Sequence, residues 1–527
     1  MNRPSTEKPH IGIMFNEDVN HHFGESAAHK GPDFALTEET EARFVDQYRG
    51  TQLTDFLINV NFLRSVYPSK IRESYCDNPA AEGECNPYYN TFIRDGFDPF
   101  SFWIRRFREI GVRPWLSFRM NDVHGIAEHN DSMLISFWKE HPELYRIRHH
   151  APDGYFARTL DYGEKAVRDE MLAYMNEALE RYDADGVEMD FMREMFCFKP
   201  GWEYKNMSIM TDFVREVRAL CDRFEKKRGH RILLGMKLGP LPHQMYYQGF
   251  DLFTYAKEHL LDTLAVGARW ETTDNDVPIE VWKQILEPYG VQVAAVQELI
   301  LRVHPHGRWY YLNTHETDLG AAAAYRSAGA DFTYFYNHMR PTEVDYSRDW
   351  VFPLYQEENY QLLMKNAGEP ETAIHAPRRH VITWHDIENE WETPKLSQLP
   401  WHAENNFTYR QIRLRCGRIP EGSKAYLILG AKSDTKQQVD ASDFDIYFNS
   451  VRLTCRGTCD VTPYTKWTGY WFPIEDLTLA DNINTVELAC VGDAFTVEYA
   501  EIRVNASLEK TQWEKDTLVW QDWDKDN

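Results

Sequence analysis

The chain has 527 residues, 43% apolar and 14% aromatic, with a formal net charge of −24. Its length supports two or three full-sized domains, and its charge argues against a nucleic acid partner, which would be repelled where no basic patch offsets the field. No stretch approaches roughly 18 uninterrupted apolar residues, so neither a membrane-spanning helix nor a membrane partner is expected.

The polar residues Met1–His10 lack the apolar region of a secretory signal. The expected location is the cytoplasm, or outside the cell if a leader has been removed. The eight cysteines include no CxxC motif and no zinc-like Cys/His grouping. Cys76 with Cys85, and Cys455 with Cys459, flank short loops that a disulfide would suit; free thiols are the simpler expectation.

From residue 11 to about 368, short apolar runs alternate with helical patterns, which predicts parallel strands joined by crossover helices. The runs are Ile11–Phe15, Phe56–Phe62, Arg113–Phe118, Gly186–Phe191, Ile232–Leu238, Thr263–Ala268, Val291–Val296 and Phe332–Tyr336. Amphipathic stretches at Phe97–Ile110, Tyr162–Tyr182, Met207–Arg228, Pro278–Tyr289 and Glu316–Ala330 fit between them. Eight such units predict an α/β fold, a (β/α)8 barrel over residues 1–369.

Beyond Pro370 the pattern changes. Thr408–Arg415, Ala425–Leu429, Phe444–Val451 and Thr485–Cys490 alternate or are β-rich, with Gly, Asn, Asp and Pro between them. An antiparallel β-sandwich is expected over 370–510, followed by a Trp- and charge-rich tail over 511–527.

Such a barrel places its chemistry at the C-terminal ends of its strands. Those ends carry Asn16, Glu17, Asp18 and His22; Arg119, Asp122 and His124; Glu188, Asp190 and Arg193; Lys237; Arg269; Glu298; and Asn337, His338 and Arg340. Paired carboxylates, a histidine and several arginines on one barrel rim suggest glycosidic bond cleavage, by analogy with other barrels. His124 with Asp122, and His21 with His22, lack the spacing of a metal-ligand set, and the arginines would repel a divalent cation. No metal and no cofactor are expected.

Asn16-Glu17-Asp18, the segment Arg119–His124, the run Asp185–Glu194 (DGVEMDFMRE) and Tyr336-Asn337-His338 together resemble the glycoside hydrolase family 156 sialidases, inverting exo-sialidases on a (β/α)8 barrel. The resemblance spans the barrel in order and owes little to the sandwich. It implies His124 as general acid, Asp18 as general base, and Arg119, Arg193 and Asn337 as binders of the sugar carboxylate. Asn16, His22, Glu188, Asp190, Arg269 and Glu298 are further rim candidates. A sialylated glycan is the expected substrate, and a homodimer a possible assembly.

The physics is compatible with that implication. Arginines meet a carboxylate through bidentate hydrogen bonds, which lets an acidic protein hold an anion locally. The substrate's own carboxylate disfavours an anionic nucleophile, whereas a base and an acid roughly 6.5–9.5 Å apart leave room for an attacking water. Two other readings remain open from the residues alone. One is a hydrolase for a neutral sugar or a different 2-keto acid sugar, worked by Glu188, Asp190 or Glu298. The other is a non-catalytic glycan-binding protein.

Overall fold

The computed structural model describes residues 11–79, 83–126, 132–147, 158–192, 194–268, 272–303, 309–342, 344, 356–384, 397–406, 408–461, 467–477, 480, 482–509 and 520–521. Eight parallel strands close into a barrel: Gly12–Glu17, Leu53–Asn59, Arg113–Arg119, Gly186–Asp190, Leu233–Leu238, Thr263–Val266, Gln292–Glu298 and Phe332–Tyr336. Each strand pairs with the next, and the last pairs with the first at Gly12↔Phe332. All eight anticipated runs are strands. The second ends at Asn59 rather than Phe62, where Nδ2 of Asn61 donates to the carbonyls of Phe62 and Arg119 and bends the chain away.

Local chemistry fixes the surrounding helices. Helix Pro99–Glu109 opens with proline in its first turn and Oδ1 of Asp98 capping the Ser101 amide at 3.2 Å. Helix Glu203–Arg228 closes on Gly229 at φ +79°, with Lys226, Lys227 and Arg228 in the last turn against the negative end of its dipole. Two helices between the first and second strands, Val19–Lys30 and Glu38–Asp46, have no counterpart in the sequence reading.

The barrel interior is built in layers. Trp115 fills the lower layer, and a Cβ added at Gly186 would stand 2.2 Å from its ring, so only glycine fits there. The indole Nε1 donates to Asp55 at 2.8 Å, and Arg113 grips the same carboxylate at 2.7 and 2.9 Å. Above this layer the inward positions become polar, and those layers form the site.

Two antiparallel sheets follow the barrel. One joins Arg378–Val381, Phe495–Val504, Ala425–Ser433, Thr468–Pro473 and Gly457–Cys459, with Trp401–Ala403 on Phe495–Val504; the other joins Arg410–Arg415, Ile483–Cys490, Phe444–Phe448 and Val451–Leu453. A common apolar core of Ile412, Leu427, Ile446, Phe472, Val486 and Ile502 lies between them. Helix His315–Ser327 crosses strand Arg378–Val381 so closely that a Cβ at Gly320 would lie 1.9 Å from the Arg379 carbonyl oxygen. Nearby, Arg415 bonds Asp276 at 2.9 Å and Glu280 at 2.6 Å, tying sandwich to barrel. In the tail, Trp520–Gln521 pairs with Trp309–Tyr310. No disulfide joins any of the eight cysteines.

Candidate active site

Strand parity decides which side chains meet inside the barrel. In the middle layer Glu188 accepts from Oγ of Ser117 at 2.8 Å, from Nδ2 of Asn16 at 3.3 Å, and from the Tyr334 hydroxyl at 2.9 Å on each oxygen. Burial and the neighbouring Asp190 push its carboxyl up to about 7, against the opposing pull of Lys237 and these hydrogen bonds.

The next layer holds Asp18, Arg119, Asp190, Lys237 and Tyr336, all buried. Arg119 lies at its centre. One terminal nitrogen donates to Asp18 at 2.7 Å and to the Tyr336 hydroxyl at 3.3 Å, and the other donates to Asp122 at 3.3 Å. The guanidinium sits over the Phe62 ring, 4.5 Å from its centroid. Burial works against its charge, but Tyr336, Asp18, Asp122 and Asp190 outweigh burial and raise its pKa well above the usual arginine value. Its Nε is buried with no hydrogen-bond partner in the protein. Lys237 places Nζ 3.6 Å from Asp190 and 3.2 Å from the centroid of the Tyr336 ring.

His124 stands beside this layer. Asp122 accepts from its backbone amide at 2.9 Å and meets its Nδ1 at 2.8 Å. A carboxylate on Nδ1 fixes the proton there and leaves Nε2 to exchange a proton with a ligand. The ring is 29% exposed, against 6% for Asp18 and 2% for Arg119. Phe62, Tyr75, Tyr88 and Phe23 form an aromatic wall, with successive centroids 6.0, 5.4 and 4.3 Å apart. After burial, the charges of Asp122 and Asp18 feature among the causes that raise the Tyr75 hydroxyl's pKa. This wall has no signature in the sequence, because its four rings come from separate segments with no common spacing.

Asn337 and Glu298 form a separate pair at the tips of the eighth and seventh strands. Asn337 adopts φ +62°, which asparagine tolerates, and its Nδ2 donates to Glu298 at 2.9 Å. His22 is not on the rim. It is fully buried, with Nε2 against Glu41 at 3.1 Å and its ring packed against Phe44 and Trp103, because it lies on the side of helix Val19–Lys30 that meets helices Glu38–Asp46 and Pro99–Glu109. Arg193 and Arg269 lie outside the described residues. Among the described residues no group of three or more His, Cys, Asp or Glu is gathered to hold a metal ion.

No protein-family model and no curated protein matches the chain. Among solved structures, it is similar to α-L-fucosidase isoenzyme 2 from Paenibacillus thiaminolyticus at 11% identity and TM-score 0.40, over 68% of this chain and 49% of that one. A cycloisomaltooligosaccharide glucanotransferase from Paenibacillus sp. matches at 9% identity and TM-score 0.34, over 94% and 58% of the two chains. An Anoxybacillus α-amylase matches at 8% identity and TM-score 0.38, over 92% and 99%. The match thus spans only about half the length of the first two proteins. At such scores these likenesses carry no argument about what this chain acts on.

Proposed function

We propose that the chain is an inverting exo-α-sialidase that removes terminal sialic acid from glycoconjugates. The supporting observation is the shared grip of Arg119, which holds Asp18 on one nitrogen and Asp122 on the other while Asp122 orients His124. Asp18 takes a proton from a water that attacks the anomeric carbon, and Nε2 of His124 gives its proton to the departing glycosidic oxygen. The bond from carbon to leaving oxygen breaks as the bond to water forms, so no enzyme-linked intermediate arises. Arg119, whose Nε has no hydrogen-bond partner in the protein, Arg193 and Asn337 are proposed as binders of the sugar carboxylate.

One observation favours a second reading. Glu188, pushed up to about 7, lies in the range that suits a general acid, and with Asp190 it would serve a neutral sugar. It is, however, 2% exposed and already accepts from three side chains beneath the Asp18–Arg119 layer. The two readings separate when a 2-O-aryl α-sialoside and a panel of neutral aryl glycosides are incubated with the protein between about pH 4 and 8. Release from the sialoside alone supports the sialidase; release from a neutral glycoside, lost in Glu188→Gln, replaces it.

A further inference from the structure

Of the seven large aromatic side chains exposed among the described residues, four lie at two adjoining loop-to-helix junctions: Trp202, Tyr204, Tyr246 and Tyr247, at 45, 56, 39 and 46% exposure. Trp202 and Tyr204 stand at the start of helix Glu203–Arg228, which follows the fourth barrel strand. Tyr246 and Tyr247 end helix Pro242–Tyr247, which follows the fifth. Both therefore belong to the C-terminal face of the barrel, the face that carries Asp18, Arg119 and His124.

This corner of the face is built rather than incidental. The Tyr204 ring lies 6.3 Å from Tyr246 and 5.8 Å from Tyr247, both edge-on, so the rings brace one another at angles. Gly249, at φ +92°, turns the chain so tightly that an added Cβ would stand 2.7 Å from Phe198 and 3.1 Å from the Glu203 carbonyl. This locks the fifth-strand loop onto segment 194–198. That segment is tied in turn to the candidate site's third-strand loop, where Nδ2 of Asn121 reaches the Phe196 carbonyl at 3.5 Å. The backbone of the corner is thus tied, through segment 194–198, to the third-strand loop that carries Asp122 and His124.

We propose that this corner is a second sugar subsite, which takes the neutral pyranose rings of the glycan behind the terminal sugar. The inference rests on the glycosidase reading above and extends it along the substrate. The chemistry of the corner favours a sugar over a protein. Its apolar surface is aromatic with polar tips, matching the C–H face and hydroxyl edge of a pyranose, whereas exposed aliphatics such as Ile71, Val281 and Leu362 lie elsewhere in the chain. Lys205 lies 3.8 Å over the Trp202 ring and Lys199 5.7 Å from it, so cations flank that ring in a chain of net charge −24.

The test uses the full chain and two substrates, a 2-O-aryl α-sialoside with no second sugar and a sialylated trisaccharide. In Tyr247→Ala and Tyr204→Ala, kcat/KM for the trisaccharide is expected to fall about tenfold, through KM, while that for the aryl sialoside stays within about twofold. Equal loss on both substrates, or no loss on either, overturns the proposal. Saturation-transfer NMR with lactose is recorded on the same proteins and needs no hydrolysis. Transfer to lactose that Tyr247→Ala abolishes supports the subsite even if no sialoside is cleaved, in which case only the sialidase reading fails. Absence of transfer in the unmodified protein, or self-association lost in Tyr247→Ala in its place, overturns it.

Discussion

At the scale of single residues, the account turns on which nitrogen of His124 is held and which is left. Asp122 holds Nδ1, so His124→Ala removes the proton donor, and Asp18→Ala removes the acceptor for the attacking water. Each variant is expected to lower kcat about 10²–10⁴-fold on a natural sialoside. An aryl leaving group, which needs less protonation, should partly restore His124→Ala but not Asp18→Ala. Equal losses on both substrates in His124→Ala would remove the imidazole from the acid's role.

Glu188 makes a different prediction, about stability. Its carboxyl titrates near 7 in the folded chain and near 4.5 ordinarily. The folded state therefore binds the extra proton between those values, and stability falls as pH rises from about 4.5 to about 7. Glu188→Gln should flatten that part of a plot of urea midpoint against pH. Identical slopes in the two proteins would show that Glu188 is not the group responsible.

At the scale of elements, the eight barrel strands were legible because each is a short apolar run bounded by turn residues and buried on both faces. Their ends named Asp18, Arg119, His124, Glu188 and Asp190 before any contact was visible. What escaped was lateral. No pattern in the chain announces that Tyr336 bonds Arg119, that Lys237 lies over the Tyr336 ring, or that Tyr75 and Tyr88 wall the site. The first two contacts join residues 217 and 99 positions apart, and the third closes an irregular loop. His22 was misplaced for a related reason, since the helix Val19–Lys30 that turns it inward has weak apolar periodicity. Gly186 tests the layering directly. In Gly186→Ala the new methyl meets Trp115, whose indole is anchored by Asp55, and a loss of about 1–3 kcal/mol is expected in chemical denaturation. An unchanged midpoint would mean that the lower layer is loosely packed.

At the scale of the molecule, barrel and sandwich are joined by both packing and charge. Helix His315–Ser327 touches strand Arg378–Val381 at Gly320, and Arg415, 5% exposed at its side chain, reaches Asp276 and Glu280. Arg415→Ala leaves Asp276 held by Arg413 and Glu280 by Asn482, and should cost about 1–3 kcal/mol, seen in calorimetry as an earlier transition. A midpoint unchanged from that of the unmodified chain would make the joint incidental to stability. The overall acidity of the chain sets a further constraint, because an anionic sugar must be held by local arginines rather than drawn in by the long-range field.

The most direct test of the central claim is the configuration of the first product. With a 2-O-aryl α-sialoside near pH 6, proton NMR should show β-sialic acid first, followed by slow mutarotation, and neither His124→Ala on a natural sialoside nor Asp18→Ala should produce it at a comparable rate. First appearance of the α-anomer would require a double displacement, and would contradict the assignment of Asp18 as a base acting through water.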